Sequence, residues 1–324
     1  MNKRAGQFGR VGILMGGVSS EREISLRSGR AIADALSRQG IDVMPLDILD
    51  DNNDTIVDQL QEADMDVAFI ALHGRLGEDG TIQSILEKLN IPYTGSGVDA
   101  SRLAFDKAAT QNLLEKNNVS IPSYVTLSKG DQLDTGAVSG ALGPLPFIVK
   151  PAREGSSIGI TLVKQEDELT QALVAAWHYS DTALIEKCIE GREFTVGILG
   201  QVALPVVEIR SKRLFFDYES KYTKGATEYI VPAAITDEMT RELQQAALQA
   251  HRVLGCEDLS RVDIMIDGNR RYYVLEVNTI PGFTSTSLLP KAAMNYGLSF
   301  DQLCLKLTEL AHGKKEKIKN TPVR

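Results

Sequence analysis

Four polar residues share one face of a β-hairpin predicted near the end of the sequence. Two alternating apolar segments, 260–266 and 272–278, flank a turn supplied by residues 267–270, Asp-Gly-Asn-Arg. Because side chains alternate along a strand, Arg261 and Asp263 share a face, as do Glu276 and Asn278. A loop with an even number of residues would pair these faces. Carboxylate and amide oxygens suit Mg²⁺, which keeps positions open for water and phosphate. The alternative is a solvent-facing hairpin with an Arg–carboxylate ion pair.

A second candidate for chemistry is the small-residue loop 150–159, with the sequence Lys-Pro-Ala-Arg-Glu-Gly-Ser-Ser-Ile-Gly. Small residues allow backbone N–H groups to approach a phosphate, and Lys150 at the end of a strand could neutralise it. The loop matches neither the Walker A pattern nor the dinucleotide fingerprint. A plain hairpin loop is the alternative interpretation.

The first hundred residues alternate strand-like and helical patterns, which predicts a doubly wound parallel sheet. Such sheets bind ligands beyond the carboxyl ends of their strands, here in the loops 16–21, 73–79 and 95–97. Glu21 and His73 lie in these loops and become site candidates. Structural roles are also open. Ser20 and Glu23 fit a capping box, and the helix dipole favours an acidic residue in the first turn, where Glu21 lies. A lone histidine such as His73 is usually structural.

Further elements follow from apolar periodicity and cap signals. The pattern predicts one helix over about 98–117, a smaller α+β region, and a long helix over 237–254. The last helix is expected to open at Ser299, with Gln302 completing a capping box, and to stop at Gly313 before a frayed charged tail. The polar and aromatic segment 215–231 is either a closing lid or an exposed hairpin. Backbone donors around 278–288 could hold an oxyanion or a carboxylate.

Composition limits the function classes. The chain has 324 residues, 43% of them hydrophobic, and a net charge of −8, which allows two or three domains and makes nucleic acid an improbable partner. Three cysteines without metal-site spacing, Cys188, Cys256 and Cys304, suit a reducing compartment. The first apolar run is too short for a signal peptide or a membrane span, so a cytoplasmic location without membrane association is expected.

Taken in chain order, these segments resemble the D-alanine:D-alanine ligase family of the ATP-grasp superfamily. The resemblance extends from about Val11 to about Ala311, and it rests on segments 16–25, 73–80, 93–97, 106–107, 150–159, 186–195, 217–222, 261–265 and 276–288. It implies an α/β and α+β, three-domain ATP-grasp architecture. A substrate-facing domain with the doubly wound parallel sheet would cover 1–103, the two ATP-grasp subdomains 104–190 and 191–312, and a charged tail 313–324.

The resemblance implies that two D-alanine molecules are ligated with ATP through a D-alanyl phosphate, for peptidoglycan precursor synthesis. It also implies a homodimer. ATP would be bound by Lys107, Lys150, Glu186, Lys187, Ile189, Glu193 and Lys221. Two Mg²⁺ ions, or Mn²⁺, would be bound by Asp263, Glu276 and Asn278.

For the amino acids, the resemblance implies that Glu21 holds the ammonium of the first D-alanine, near His73. Arg261 and the Gly282 amide would form an oxyanion hole. The remaining implied roles are links from Ser156 and Tyr222 to Glu21, and binding of the second carboxylate by Ser287 and the Leu288 amide.

Three other functions stay open from the sequence. An ATP-grasp ligase with a D-lactate or D-serine acceptor is the nearest, although ester-forming relatives usually depart at Tyr222. A nucleotide-binding module without turnover is opposed by the complete set of polar hairpin residues. A dehydrogenase would fit the first sheet but lacks the glycine fingerprint.

Overall fold

In this computed structural model, which describes residues 7–155, 158–211 and 227–319, the chain begins with a three-stranded parallel sheet of order β2-β1-β3. Its elements are β1 (Arg10–Gly16), α1 (Arg22–Arg38), β2 (Asp42–Ile48), α2 (Asn53–Glu62), β3 (Val67–Ile70) and α3 (Thr81–Lys88). Ile13 packs in a core with Ile32 of α1, whereas the next residue, Leu14, packs in a second core with Ile56 of α2. Helices therefore cover both faces, which confirms the predicted doubly wound sheet.

The central part is an antiparallel sheet of order β4-β7-β5-β6, reached through two helices. The elements are α4 (Val98–Phe105), α5 (Lys107–Lys116), β4 (Tyr124–Ser128), α6 (Thr135–Leu142), β5 (Phe147–Pro151), β6 (Thr161–Val163), α7 (Glu168–Trp177) and β7 (Thr182–Lys187). The prediction of one continuous helix over 98–117 was wrong. Asp106 has extended backbone between α4 and α5, and its carboxylate accepts the Ala109 amide at 3.0 Å as the N-cap of α5.

The C-terminal part is built on a larger antiparallel sheet of order β11-β10-β8-β12-β13, with β9 beside β8. Its elements are β8 (Gly191–Leu199), β9 (Val202–Ala203), β10 (Val207–Ser211), β11 (Thr227–Ile230), α8 (Asp237–Val253), β12 (Leu259–Asp267), β13 (Tyr272–Asn278), α9 (Leu288–Asn295) and α10 (Phe300–Lys319). Among the described residues, no helix has both the length and the apolar composition needed to cross a bilayer.

The last helix returns to the beginning of the chain, because α10 packs against α1 and β3. The predicted Ser299–Gln302 capping box is confirmed, with reciprocal hydrogen bonds of 2.9 and 3.3 Å. The predicted stop at Gly313 was wrong, since α10 continues to Lys319. Lys314 anchors the extension: its Nζ lies 2.7 Å from Asp258 and 2.6 Å from the Gly95 carbonyl. These contacts outweigh the cost of a glycine in a helix, about 1 kcal/mol.

The predicted capping box of Ser20 and Glu23 was also wrong. The N-cap of α1 is Glu21, which makes no side-chain cap hydrogen bond. Ser19 instead accepts the Glu21 amide at 3.2 Å and donates to the His73 carbonyl at 2.7 Å. The structure thereby joins the loops that follow β1 and β3, as expected for carboxyl ends at one edge of a parallel sheet.

Candidate active site

The polar residues of the β12–β13 hairpin converge as predicted. Arg261 lies opposite Asn278, and Asp263 lies opposite Glu276. The reason differs from the prediction, because the segment 267–271 between the strands has an odd number of residues. A β-bulge between Asp263 and Ile264 shifts the pairing register by one residue and so compensates for the odd number. This bulge restores the pairing of the two polar faces.

The Asp263 carboxylate is held from three directions. Arg261 forms a two-pronged ion pair with it, with distances of 2.9 and 2.7 Å. Thr195 of the neighbouring strand donates to Oδ1 at 2.6 Å, and Asn278 Nδ2 lies 3.2 Å from Oδ2 and 3.4 Å from Glu276 Oε1. The Arg261 and Asp263 side chains are only 16% and 10% exposed, so the solvent-facing alternative for this hairpin was wrong.

The charge of Arg261 is secured by its neighbours. Burial alone would lower the pKa of its guanidinium, but the carboxylates of Asp263, Glu276 and Glu78 raise that pKa well above its ordinary value. Arg261 is therefore a fixed cation within the site at all pH values at which the protein is folded. A fixed cation can stabilise negative charge that develops on a nearby oxygen.

A cleft of about 480 Å³ lies between the central and C-terminal sheets and reaches these carboxylates. This volume is in the range of about 300–1,000 Å³ that is typical of small-molecule sites. One wall is apolar and includes Ile148, Ile160, Leu162, Met265 and Leu275. The polar lining residues include Lys107, Lys150, Glu186, Lys187, Glu193, Asp263 and Glu276, and the Ile189 position lines the cleft as well. The cleft therefore offers an apolar surface for a flat ring, and it has lysines as well as the carboxylates of Asp263 and Glu276 in its lining.

Two lysines line this cleft from different elements, Lys150 buried and Lys107 half-buried. Lys150 Nζ lies 2.7 Å from Glu186 Oε1, and both side chains are almost fully buried. Lys107 Nζ donates to the Glu154 carbonyl in the small-residue loop. Burial lowers the pKa of Lys107, an effect that Glu276 opposes and Lys150 reinforces. Bound anionic groups would therefore find one buried and one half-buried lysine.

The small-residue loop is both a hairpin loop and a wall of the cleft. It connects the antiparallel neighbours β5 and β6, and Glu154, Gly155 and Ile158 line the cleft. A β-carbon added to Gly155 would lie 3.1 Å from Oε2 of Glu21. The structure therefore brings the predicted candidate Glu21 against this loop, although the two are far apart in sequence.

His73 is buried and connects the N-terminal loops to the segment after β13. Its Nδ1 lies 3.1 Å from the Ile280 carbonyl and 3.6 Å from Glu78 Oε1, and its Nε2 lies 3.3 Å from Ser28 Oγ. Burial lowers the pKa of His73, but Glu78, with Glu21 and the Ile280 carbonyl, more than offsets this, and the net pKa is raised.

Gly282 and Ser287 lie next to each other in the segment that follows β13. A β-carbon on Gly282 would lie 3.6 Å from Ser287 Oγ. Ser287 is the N-cap of α9, and its hydroxyl accepts the Thr284 amide at 3.0 Å. Leu288 is the first residue of that helix. A helix N-terminus with free amides is a favourable place for a carboxylate.

Comparison with known proteins accounts for this arrangement. The family model described as D-ala D-ala ligase N-terminus matches residues 10–61 and 51–96. The model described as D-ala D-ala ligase C-terminus matches residues 113–309. A D-alanine–D-alanine ligase from Syntrophotalea carbinolica is 46% identical over 94% of this chain and 96% of that protein. This chain belongs to the D-alanine–D-alanine ligase family.

Solved structures of D-alanine–D-alanine ligases have the same fold. The ligase from Bacillus anthracis complexed with ATP superposes with a TM-score of 0.84 at 31% identity, covering 95% of this chain and 99% of that chain. The VanG D-Ala:D-Ser ligase from Enterococcus faecalis superposes with a TM-score of 0.80 at 31% identity, covering 94% of this chain and 99% of that chain. The resemblance read from the sequence, and the ATP-grasp architecture that it implied, are thereby confirmed.

Three residues that the family resemblance singled out, Ser156, Lys221 and Tyr222, lie outside the described residues, as does most of the predicted lid segment 215–231. Two polar residues at the site were given no role from the sequence. Glu78 lies in the loop 73–79 beside His73, so its position was a usable signal. Thr195 contacts Asp263 because β8 pairs with β12, which no local pattern specifies.

Proposed function

We propose that this protein ligates two D-alanine molecules, with hydrolysis of ATP to ADP and phosphate, and produces D-alanyl-D-alanine. The observation that carries the proposal is the position of Asp263 and Glu276. Both line the cleft between the two sheets, and Arg261 and Asn278 lie beside them. Carboxylates that could hold Mg²⁺, together with the Arg261 cation, are thus concentrated where a nucleotide in the cleft would present its phosphates.

ATP would lie with its base toward Glu186, Lys187, Ile189 and Glu193, and its phosphates toward Lys107 and Lys150. The Lys187 amide already donates to the Ser123 carbonyl at 2.9 Å, which leaves the Ile189 backbone as the better partner for the base. The resemblance adds Lys221 as a contact to the transferred phosphate. Desolvated cations stabilise the charge that shifts toward the leaving ADP.

Asp263, Glu276 and Asn278 would bind the Mg²⁺ or Mn²⁺ ions. The donor chemistry fits, because the Asn278 side-chain amide lies beside both carboxylates, with its Nδ2 3.2 Å from Asp263 Oδ2 and 3.4 Å from Glu276 Oε1. Two carboxylates and an amide oxygen are suitable Mg²⁺ ligands. When bound, such ions neutralise phosphate oxygens and so reduce their repulsion of an incoming carboxylate.

The first D-alanine would be oriented by Glu21 through its ammonium group, near His73. Its carboxylate oxygen attacks the γ-phosphorus, and the bond to ADP breaks, which gives D-alanyl phosphate. The second D-alanine would be held through its carboxylate by Ser287 and the Leu288 amide, and its amine then attacks the acyl carbon. Phosphate leaves and the amine loses a proton. Arg261 and the Gly282 amide would stabilise the oxyanion in this second step.

Ser156 and Tyr222 would link to Glu21 and hold the site closed, as the resemblance implies. Relatives at 45–46% identity over 93–94% of this chain are D-alanine–D-alanine ligases, which favours D-alanine as the acceptor. We also propose a cytoplasmic homodimer that supplies peptidoglycan precursor synthesis, on the basis of family membership. Sedimentation would check the dimer.

The test is phosphate release by the purified protein with Mg²⁺ and ATP, with and without D-alanine, followed by mass detection of the product. L-Alanine is the control, and D-serine and D-lactate are competing acceptors. D-Alanine-dependent phosphate with a matching dipeptide supports the proposal. ATP binding without any stimulation by D-alanine would instead favour a nucleotide-binding module.

A further inference from the structure

The backbone that carries Gly282 is held by the N-terminal part of the chain. The amide of Phe283, directly after Gly282, donates to Ser28 Oγ at 3.3 Å. Ser28 lies on α1 and is fully buried. A hydrogen bond between residues 255 positions apart thus fixes one side of the segment.

The other side of Gly282 is held through His73. The Ile280 carbonyl lies 3.1 Å from Nδ1 of His73, and Nε2 of the same ring lies 3.3 Å from Ser28 Oγ. In the neutral ring with the proton on Nδ1, Nδ1 donates to Ile280 and Nε2 accepts the Ser28 hydroxyl proton; in the protonated ring, Nε2 donates to Ser28 instead. In both states the Ser28 oxygen can accept from Phe283. The circuit therefore closes around the Pro281–Gly282 dipeptide in either protonation state of His73.

We propose that Ser28 is a positioning residue that orients the Gly282 amide toward the oxyanion of the tetrahedral intermediate. The inference rests on the proposed ligase function. An oxyanion donor is effective only when it already points at the place where charge develops. Pro281 has no N–H of its own, so the Gly282 and Phe283 amides are the backbone donors at this bend. Ser28 accepts the hydrogen bond of the Phe283 amide. With Phe283 fixed, the adjoining peptide group of Gly282 has less freedom to turn away.

A purely structural role is the competing explanation, and the chain offers a matched control. Ser25 lies one turn earlier on α1 and is equally buried. Its hydroxyl accepts the Gly16 amide at 2.8 Å and donates to the Ala71 carbonyl at 2.8 Å. Both partners belong to the N-terminal part. Loss of Ser25 therefore removes a comparable buried hydrogen-bond bridge without touching the Gly282 segment.

The experiment compares the parent protein, Ser28→Ala and Ser25→Ala as full chains. Melting temperature, KM for ATP and the rate of dipeptide formation are measured first. Positional isotope exchange in ATP labelled with ¹⁸O at the β–γ bridge is then measured with D-alanine. The exchange reports reversible phosphoryl transfer, because the freed β-phosphate of ADP can rotate before ATP re-forms. It does not require the amine to attack.

We expect similar falls in melting temperature for both variants. Dipeptide formation should fall about tenfold in Ser28→Ala, less than the 10²–10³-fold that removal of a whole oxyanion donor costs, and KM for ATP should stay unchanged. The ratio of isotope exchange to dipeptide formation should rise in Ser28→Ala, because only the second step is slowed. In Ser25→Ala both quantities should stay within about twofold of the parent.

Equal rates in the two variants, or an exchange rate that falls in step with dipeptide formation, would overturn the inference. If Ser28→Ala does not fold, Ser28→Cys, which keeps the size and offers a weaker donor, takes the same test with the same criterion. Absence of D-alanine-dependent turnover in the parent protein would instead overturn the ligase proposal itself. That result would be known before any variant is made.

Discussion

The ion pair of Lys150 and Glu186 offers a quantitative test of the cleft. The two charged atoms are 2.7 Å apart, and the side chains are 6% and 5% exposed. At an effective dielectric constant of about 20, unit charges at this distance attract by about 6 kcal/mol. That attraction offsets the cost of removing both groups from water. Each charge is therefore tolerated in the cleft because the other is present.

Removal of one partner should destabilise the protein more than removal of both. Lys150→Met leaves the Glu186 carboxylate buried and unpaired, which should lower the free energy of unfolding by about 3–5 kcal/mol, and Glu186→Gln should have a similar effect. The double variant should lie within about 1–2 kcal/mol of the parent. ATP affinity should not recover in the double variant, because the cation proposed to face the phosphates is absent.

The assay is urea unfolding at pH 7 without nucleotide, followed by fluorescence of the single tryptophan, Trp177, at the end of α7 in the central part. The control pair is Arg75 and Asp51, which are 2.7 Å apart but 67% and 54% exposed. Arg75→Met should cost less than about 1 kcal/mol. If Lys150→Met costs no more than Arg75→Met, the Lys150–Glu186 pair is effectively solvated and the reasoning fails.

Three other predictions concern the metal site, pH and the last helix. Glu276→Gln should reduce dipeptide formation by at least about tenfold and raise the Mg²⁺ concentration needed, since even outer-shell changes cost 10–100-fold in metal affinity; parental turnover at saturating Mg²⁺ contradicts this. Burial lowers the pKa of His251 to about 4. The unfolded chain therefore binds this proton more readily, and stability should fall by roughly 2–3 kcal/mol as pH decreases from 7.5 to 4.5. His251→Gln should remove that part of the acid sensitivity in urea unfolding at the two pH values, and an unchanged pH dependence would count against it. Lys314→Met should cost about 2–3 kcal/mol because it leaves Asp258, 8% exposed, without its cation. Lys306 lies on the same helix, but its ion pair is exposed, so Lys306→Met should change the free energy of unfolding by less than about 1 kcal/mol. Equal losses of stability in the Lys314 and Lys306 variants in urea unfolding would refute the prediction.

Local patterns predicted most helices and strands because their causes are local. The alternation in 260–266 and 272–278 placed Arg261, Asp263, Glu276 and Asn278 on common faces, and the hairpin has them there. The errors arose where several local signals competed. Asp106 is an N-cap signal within an otherwise helical pattern. It caps α5, so the segment forms two helices where periodicity predicted one. Gly313 is a stop signal that long-range contacts of the following lysine overrode.

The sequence by itself determined the N-terminal parallel sheet, the polar face of the hairpin and the resemblance to the ligase family. Residue type and period depend on neighbours within a few positions, so they can be read directly. Only the tertiary structure decided which distant groups meet. Thr195 reaches Asp263 through strand pairing, and Ser28 reaches Phe283 across 255 positions. A buried polar group must find a partner, but the sequence does not say which one, because the choice depends on how whole elements pack.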